Sequence, residues 1–456
     1  MSKIPVIAIF DVGKTNKKLF FFDEQYKIVF EQQANFPEIN DEDGDACEDL
    51  EKLIAWIKDS LDSSLNNPLF QIRAINFCSY GASFVHLDKK GKPLTPLYNY
   101  LKQYPDDLLK EFYQAYGGKV TFSMQTASPI LGSLNSGMQL YRIKKRNPKI
   151  FQKIKYSLHL PQFLAYLVSK KYYSDLTSIG CHTNLWNFPQ NHYHEWVYRE
   201  GILDKLAPIT PSYHSDELNV GNELMKVGVG LHDSSAALIP YLESFLDPFI
   251  LISTGTWCIN LNPFNDKPLT IAELQEDCLC YLSYKSTPVK ASRIFAGYQH
   301  EQEVKRISSY FQKHENYFTR IEYYPEIIQL LSEKINDETL NRAAGESLFH
   351  GRELSLFENY EEAYHQLIAD IIKDQVHALQ LVLEGTDVKR LFVDGGFGKN
   401  PIYMHLLAKS FDKVEVFAAS VPQATALGTA LAIHQSWNKK PLPNDIIDLR
   451  FYTSPR

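Results

Sequence analysis

An aspartate that closes an apolar run and is followed by glycine, threonine and lysine is suited to holding phosphate. The chain has this combination at Asp11-Val12-Gly13-Lys14-Thr15, directly after the β-rich run at 4–10. Amides of such a turn and the Thr15 hydroxyl can meet phosphate oxygens, Lys14 and Lys18 add positive charge, and Asp11 can hold a hydrated Mg²⁺. It is not a P-loop, which needs a glycine where Ala8 stands. A plain hairpin turn has a similar composition. Ser253-Thr254-Gly255-Thr256 repeats the layout between apolar runs at 249–253 and 257–261, with two hydroxyls and a glycine that lets the backbone come close. Asp394-Gly395-Gly396-Phe397-Gly398 is the third stretch, ahead of a helix that Asn400 opens. Its glycines leave room for a flat ligand or a phosphate chain, although the G-x-G-x-x-G dinucleotide spacing is absent.

A fourth stretch carries a different chemistry. His232-Asp233-Ser234 follows a strand ending at Gly230 and precedes a helical run. Asp233 can serve as a helix N-cap, as a general base at a cleft, or as both. Other candidates carry less. His182, His192 and His194 lack the HxxxH spacing of a zinc site, and Lys144-Lys145-Arg146 reads as a solvated helix face. Of the six cysteines only Cys278 and Cys280 are close, a poor pair for a metal or a disulfide. A reduced, cytoplasmic protein is therefore expected.

The elements that must position these groups follow from hydrophobic periodicity. Residues 4–33 read as three antiparallel strands, 47–65 as an amphipathic helix, and 73–77 and 83–87 as further strands of a mixed α/β sheet. Residues 106–206 read mostly as helix. A punctuated linker at 245–248 marks a domain boundary, giving 1–245 and 246–456, and the strand–turn–strand around Gly255 echoes the opening stretch. A long helix is expected over 357–384, a strand over 388–393, and a small-residue helix over 424–433.

Taken in order, these stretches resemble the FGGY carbohydrate kinases over nearly the whole chain. Asp11 to Lys18 is similar to that family's first phosphate motif, Thr254-Gly255-Thr256 to its second, Asp394-Gly395-Gly396 with Asn400 to its adenosine motif, and residues 424–430 to its last connecting helix. The resemblance implies two actin-like, ribonuclease-H-like α/β domains around a central cleft. Within the family the chain is most similar to kinases of L-rhamnulose and L-fuculose. Gly81, Ala82 and Ser83 match their substrate strand, and His232-Asp233-Ser234 matches a segment in which Asp233 is the base while His232 and Ser234 touch the sugar. The chain departs from the pattern at Lys14, Ser83, Gln423 and Asn99-Tyr100.

The resemblance implies ATP-dependent phosphorylation of a ketose hydroxyl, with Mg²⁺ held by Asp11 and Asp233, while Lys14, this chain's own variation in the turn, is expected to meet a phosphate. The nucleotide would lie against Gly13, Thr15, Lys18, Gly255, Thr256, Gly395 and Gly396. Rival readings are a kinase of D-xylulose, L-ribulose or glycerol, and a regulator that binds sugar or nucleotide without turnover. The bulk numbers agree with small-molecule partners. A net charge of -7 argues against nucleic acid, no apolar run approaches the roughly 20 residues of a membrane span, and 456 residues suit two domains in a monomer or homodimer.

Overall fold

The computed structural model describes residues 3–221, 223–335, 347–411 and 413–453. Apolar alternation folds the start of the chain into the expected meander: Ile4–Val12, Lys17–Asp23 and Ile28–Ala34 pair antiparallel in sequence order. The helix Leu50–Leu65 buries Leu50, Leu53 and Ile57, and its first turn is capped by the Asp49 carboxylate accepting from Lys52 N at 3.0 Å. It crosses over to Phe70–Ser79, which lies parallel to Ile4–Val12. Ser215–Val220, Glu223–Gly228 and the short Leu231–His232 complete this sheet beside Phe70–Ser79.

The second sheet is built on the same plan. Phe249–Thr254 is antiparallel to Cys258–Asn262 on one side and parallel to Arg390–Gly395 on the other. Ile4–Val12 stands in the same relation to Lys17–Asp23 and Phe70–Ser79, so the echo in the sequence is an echo in topology. Cys278–Leu282, Pro288–Ile294, Glu415–Ser420 and Asp448–Tyr452 finish the sheet.

Each sheet sends a helix into the space between them. Asp233–Ser244 leaves the first and Ala424–Ala432 lies after the second. Gly428 is required where they cross, because a Cβ there would come to 1.8 Å from the carbonyl oxygen of Ala236. Ile7 and Ile9 of the first sheet, Phe249 and Leu251 of the second, and Ala236 and Ala430 of the helices share one continuous core. The architecture is two actin-like domains around a cleft.

Three expectations need correction. Residues 83–87 do not join the main sheet: Phe84–Leu87 pairs with Tyr156–His159 in a separate two-stranded ribbon. The third strand, expected over 26–33, starts at Ile28, because Tyr26 turns the chain at φ 60° and sends its hydroxyl to His434 Nδ1 at 2.6 Å. The long helix begins at Tyr360, where Asn359 accepts from Glu362 N at 2.9 Å. All six cysteines are free and buried; Cys278 and Cys280, two apart on one strand, share a small apolar cluster with Ala127 and Leu269. Among the described residues no helix is long and apolar enough to cross a membrane.

Candidate active site

Strand register brings the two candidate carboxylates together. Ile4–Val12 and Leu231–His232 both run parallel to Phe70–Ser79, with Asp11 and Leu231 each opposite Cys78, and Val12 and His232 each opposite Ser79. Asp11, the turn after Ser79 and Asp233 therefore emerge along one sheet edge, within two strand spacings of about 5 Å each. Burial, then the negative charge of Asp233, pushes the Asp11 carboxyl up to about 6, against opposing effects from Cys78 and Lys18. Two carboxylates that repel each other in a half-enclosed site form a donor set suited to a hydrated dication.

Asp233 is the first helical residue rather than the cap, a position that His232 occupies without a side-chain cap bond. Asp233 Oδ1 accepts from Ser234 N at 2.6 Å and Ser234 Oγ at 3.2 Å, and lies 3.1 Å from His232 Nε2. The Asp233 side chain stays 32% exposed, open to a ligand. Burial lowers the pKa of His232, which leaves the ring neutral at pH 7; it lies parallel to Tyr281 at 6.0 Å and its Nε2 is 3.2 Å from Cys181 Sγ. A Cβ on Gly81 would come to 3.0 Å from both the His232 ring and Cys181 Sγ, so glycine sets how closely the acceptor strand approaches this group.

Ala82 holds φ 62° and its carbonyl accepts from Gln139 Nε2 at 2.7 Å. Ser83 Oγ and Gln139 Oε1 are buried with no partner among the described residues, a polar deficit that a bound hydroxyl compound could make good. Tyr80 and Tyr100, with ring centroids 5.8 Å apart, form the adjoining wall. The Tyr100 phenol is pushed up first by burial and next by the charge of Asp233, which sets Tyr100 near that carboxylate.

The first phosphate turn is closed by Gly13 N donating to Asn16 O at 2.9 Å, with Thr15 exposed. Lys14 does not stand free in the turn: its ammonium pairs with Glu38. Lys18 faces Asp11 across the strand pair, 3.5 Å from Gln423 Oε1 and 3.8 Å from Glu31 Oε1. Lys17, which sequence reasoning passed over, is fully buried; its ammonium donates to Lys14 O at 3.1 Å and pairs with Glu48 at 2.6 Å.

The second and third loops are tied together by Thr254. Its hydroxyl donates to Asp394 O at 2.7 Å and accepts from Phe397 N at 3.1 Å, so it organises the loops instead of facing outward. Gly395 adopts φ 98° with its Cβ direction closed by Thr254 O at 2.0 Å, whereas the space over Gly396 is open. Gly255 and Thr256 are exposed. Asn400 caps the helix Pro401–Ser410, accepting from Ile402 N and Tyr403 N and donating to Tyr364 Oη at 2.7 Å, so its amide is engaged within the protein.

Thr254, Gly255, Gly396 and Asn400 line a cavity of about 570 Å³ together with Gly297, His300, Phe318 and Lys399. Gly297, His300 and Phe318 escaped the sequence motifs, while Lys399 lies within the third of them. The one available signal was Gly297 near the start of a helix, where a Cβ would strike Gly255 O at 1.8 Å. Burial pushes His300 down to about 4, and its Nε2 lies 3.0 Å from Tyr364 Oη, joining the bond to Asn400.

Comparison with known proteins agrees with this geometry. Residues 6–210 match the N-terminal domain of the FGGY family of carbohydrate kinases, and residues 246–441 match a carbohydrate kinase FGGY C-terminal domain. A rhamnulokinase of Halalkalibacterium halodurans is 23% identical over 97% of this chain and 98% of that protein. The solved structure of a carbohydrate kinase from Novosphingobium aromaticivorans superposes with a TM-score of 0.81 at 20% identity, covering 99% of this chain and 95% of the other. A ligand-bound xylulose kinase from Lactobacillus acidophilus gives 0.77 at 16% identity, covering 99% and 94%. With both domain models matched in order, the chain belongs to the FGGY family of carbohydrate kinases.

Proposed function

We propose that this FGGY sugar kinase transfers the γ-phosphoryl group of ATP to a hydroxyl of an L-rhamnulose- or L-fuculose-type deoxyketose, with Asp233 as general base. The observation that carries this reading is the convergence of Asp11 and Asp233 on one sheet edge, with an open, glycine-faced approach to the phosphate loops. The Asp233 carboxylate accepts the acceptor's hydroxyl proton, a contribution of about 10²–10⁴ in rate. Neutral His232, with Nε2 3.1 Å from Asp233 Oδ1, packs beside the carboxylate and limits where it can turn. Phosphates lie along Gly13 and Thr15 from one domain and Gly255 and Thr256 from the other, with adenosine in the cavity below Gly396. Asp11, with Asp233 beside it, would hold Mg²⁺ through water, and the ion supplies charge neutralisation at the transferring phosphoryl group. Domain closure excludes water that would otherwise take the phosphoryl group.

The substrate assignment leans on the similarity to rhamnulokinases and on the wall of Gly81, Ala82, Ser83, Tyr80 and Tyr100. The domain division at 245/246 is supported by the helix Asp233–Ser244 ending just before it and the strand Phe249–Thr254 starting just after. A coupled ADP-release screen over L-rhamnulose, L-fuculose, D-xylulose, L-ribulose and glycerol tests the reading. A deoxyketose should give the highest kcat/KM; preference for xylulose or glycerol overturns the substrate, and ATP binding without turnover on any acceptor overturns the kinase in favour of a binding regulator.

A further inference from the structure

One structural unit touches both the phosphate loop and the acceptor wall. The two-strand hairpin Ile39–Asn40 and Ala46–Cys47 is flanked by Glu38 and Glu48. At its base, buried Glu48 receives the Lys17 ammonium on Oε1 at 2.6 Å and the Tyr80 hydroxyl on Oε2 at 3.3 Å. Lys17 in turn donates to Lys14 O in the phosphate turn, and Tyr80 N donates to Val12 O at 3.3 Å. Glu38 pairs with Lys14 from the other side. The hairpin tip is anchored too: Lys102, two residues past Tyr100, lies 2.5, 2.7 and 3.0 Å from the carboxylates of Asp41, Asp43 and Asp45. The three aspartates thus share one ammonium of this protein, which offsets part of their charge.

We propose that this acidic hairpin couples acceptor binding to nucleotide binding, with Glu48 as the positioning residue shared by the phosphate turn, through Lys17, and the acceptor wall, through Tyr80. The inference rests on the assignment of phosphate to the Gly13 turn and sugar to the Tyr80–Ser83 wall made above. The physical basis is that the negative charge of a buried carboxylate is shared between its two oxygens, so a donor on Oε2 draws charge away from the donor on Oε1. A shift of Tyr80 on acceptor binding changes what Glu48 offers Lys17, and with it the carbonyl of Lys14 that shapes the turn. Lys14, whose exposed pair with Glu38 is worth at most about 1 kcal/mol, is then released toward phosphate at little cost. By linkage the effect is reciprocal: acceptor tightens nucleotide as nucleotide tightens acceptor.

Tyr80→Phe tests this with the Lys17–Glu48 pair left whole. MgADP affinity is measured by calorimetry on the full chain, with and without saturating L-rhamnulose, beside hydrogen exchange of the amides at 13–18. The wild type should bind MgADP about tenfold tighter with the ketose present. With L-rhamnulose at a concentration that saturates the variant by its own titration, the variant should lose this to within twofold, and its 13–18 amides should exchange about tenfold faster. Retained coupling, or unchanged exchange in the variant, overturns the hairpin's role. If L-rhamnulose does not bind the wild type, the substrate reading fails by itself and the exchange measurement still decides the relay. Asp43→Asn, at an exposed tip carboxylate, serves as a second variant that folding does not depend on; it should weaken L-rhamnulose binding severalfold without moving ketose-free MgADP affinity, and an unchanged ketose affinity removes the tip anchor from the proposal.

Discussion

Tyr241 Oη donates to Asp394 Oδ2 at 3.0 Å, joining the helix that Asp233 opens to the loop that carries Gly395 and Gly396. Eight residues separate Tyr241 from Asp233, so the bond lies about 12 Å along the helix from the base. It links the two domains, and burial leaves the Asp394 carboxyl raised although the Tyr241 bond opposes it.

Removing that hydroxyl should loosen the nucleotide loop without touching the reacting atoms. For Tyr241→Phe, loss of a hydrogen bond to a half-buried carboxylate costs about 1.5–3 kcal/mol. The expected result is a KM for ATP raised about tenfold with kcat lowered less than threefold, read from steady-state kinetics. An unchanged KM would show that the loop keeps its shape without this bond.

Asp233→Asn keeps the shape of the side chain and removes the proton acceptor. The turnover number should fall by about 10² or more, while MgADP binding stays within a few-fold. A kcat within threefold of the wild type would reassign the base.

Lys14→Thr separates a phosphate contact from a structural one. The pair with Glu38 is exposed, so its loss should leave Tm within about 1 °C, whereas KM for ATP should rise severalfold. Equal KM values in the two proteins would leave Lys14 a surface partner of Glu38 and nothing more.

Gly428→Ala places a methyl group 1.8 Å from a backbone oxygen on the facing helix. Backbone cannot move aside as a side chain can, so the two central helices must separate. Overpacking of this kind costs about 1–3 kcal/mol, and calorimetry should show Tm lower by several degrees.

Acidification should destabilise the protein through its buried histidines. His86 is fully buried, with Nδ1 2.8 Å from Ser157 Oγ and no partner on Nε2 among the described residues, and burial alone pushes it down to about 3. Its folded value lies below the unfolded 6.5, so between about pH 3 and 6.5 the unfolded chain binds the extra proton. Stability from this residue is complete above pH 6.5 and is lost as pH falls, by about 1.4 kcal/mol per unit. Urea titrations of His86→Gln at pH 7 and pH 5 should show the difference in stability between the two conditions shrink by about 2 kcal/mol relative to the wild type.

The sequence by itself determined the local chemistry. An acid closing a strand, a glycine with hydroxyls in the next turn, and a diglycine before an Asn-capped helix are all written within a few residues. Backbone conformation there depends on those residues and their immediate neighbours. That is why the turns at Gly13, Gly255 and Gly395 and the helix cap at Asn400 are legible as local structure, and why their order along the chain points to the family. The tertiary structure alone decided what each group faces. Lys14 looked like the phosphate cation but pairs with Glu38, 24 residues away, while the unremarked Lys17 is the buried one. Thr254 looked like an outward hydroxyl but bonds Asp394 O, 140 residues on. Gly428 read as a small-residue helix position, and only its crossing with Ala236 makes it obligatory. Asp11 and Asp233 are 222 positions apart in the numbering, and nothing local to either states that strand register will bring them to one edge. Burial and partnership are properties of the closed core, and they exist only once distant strands have paired.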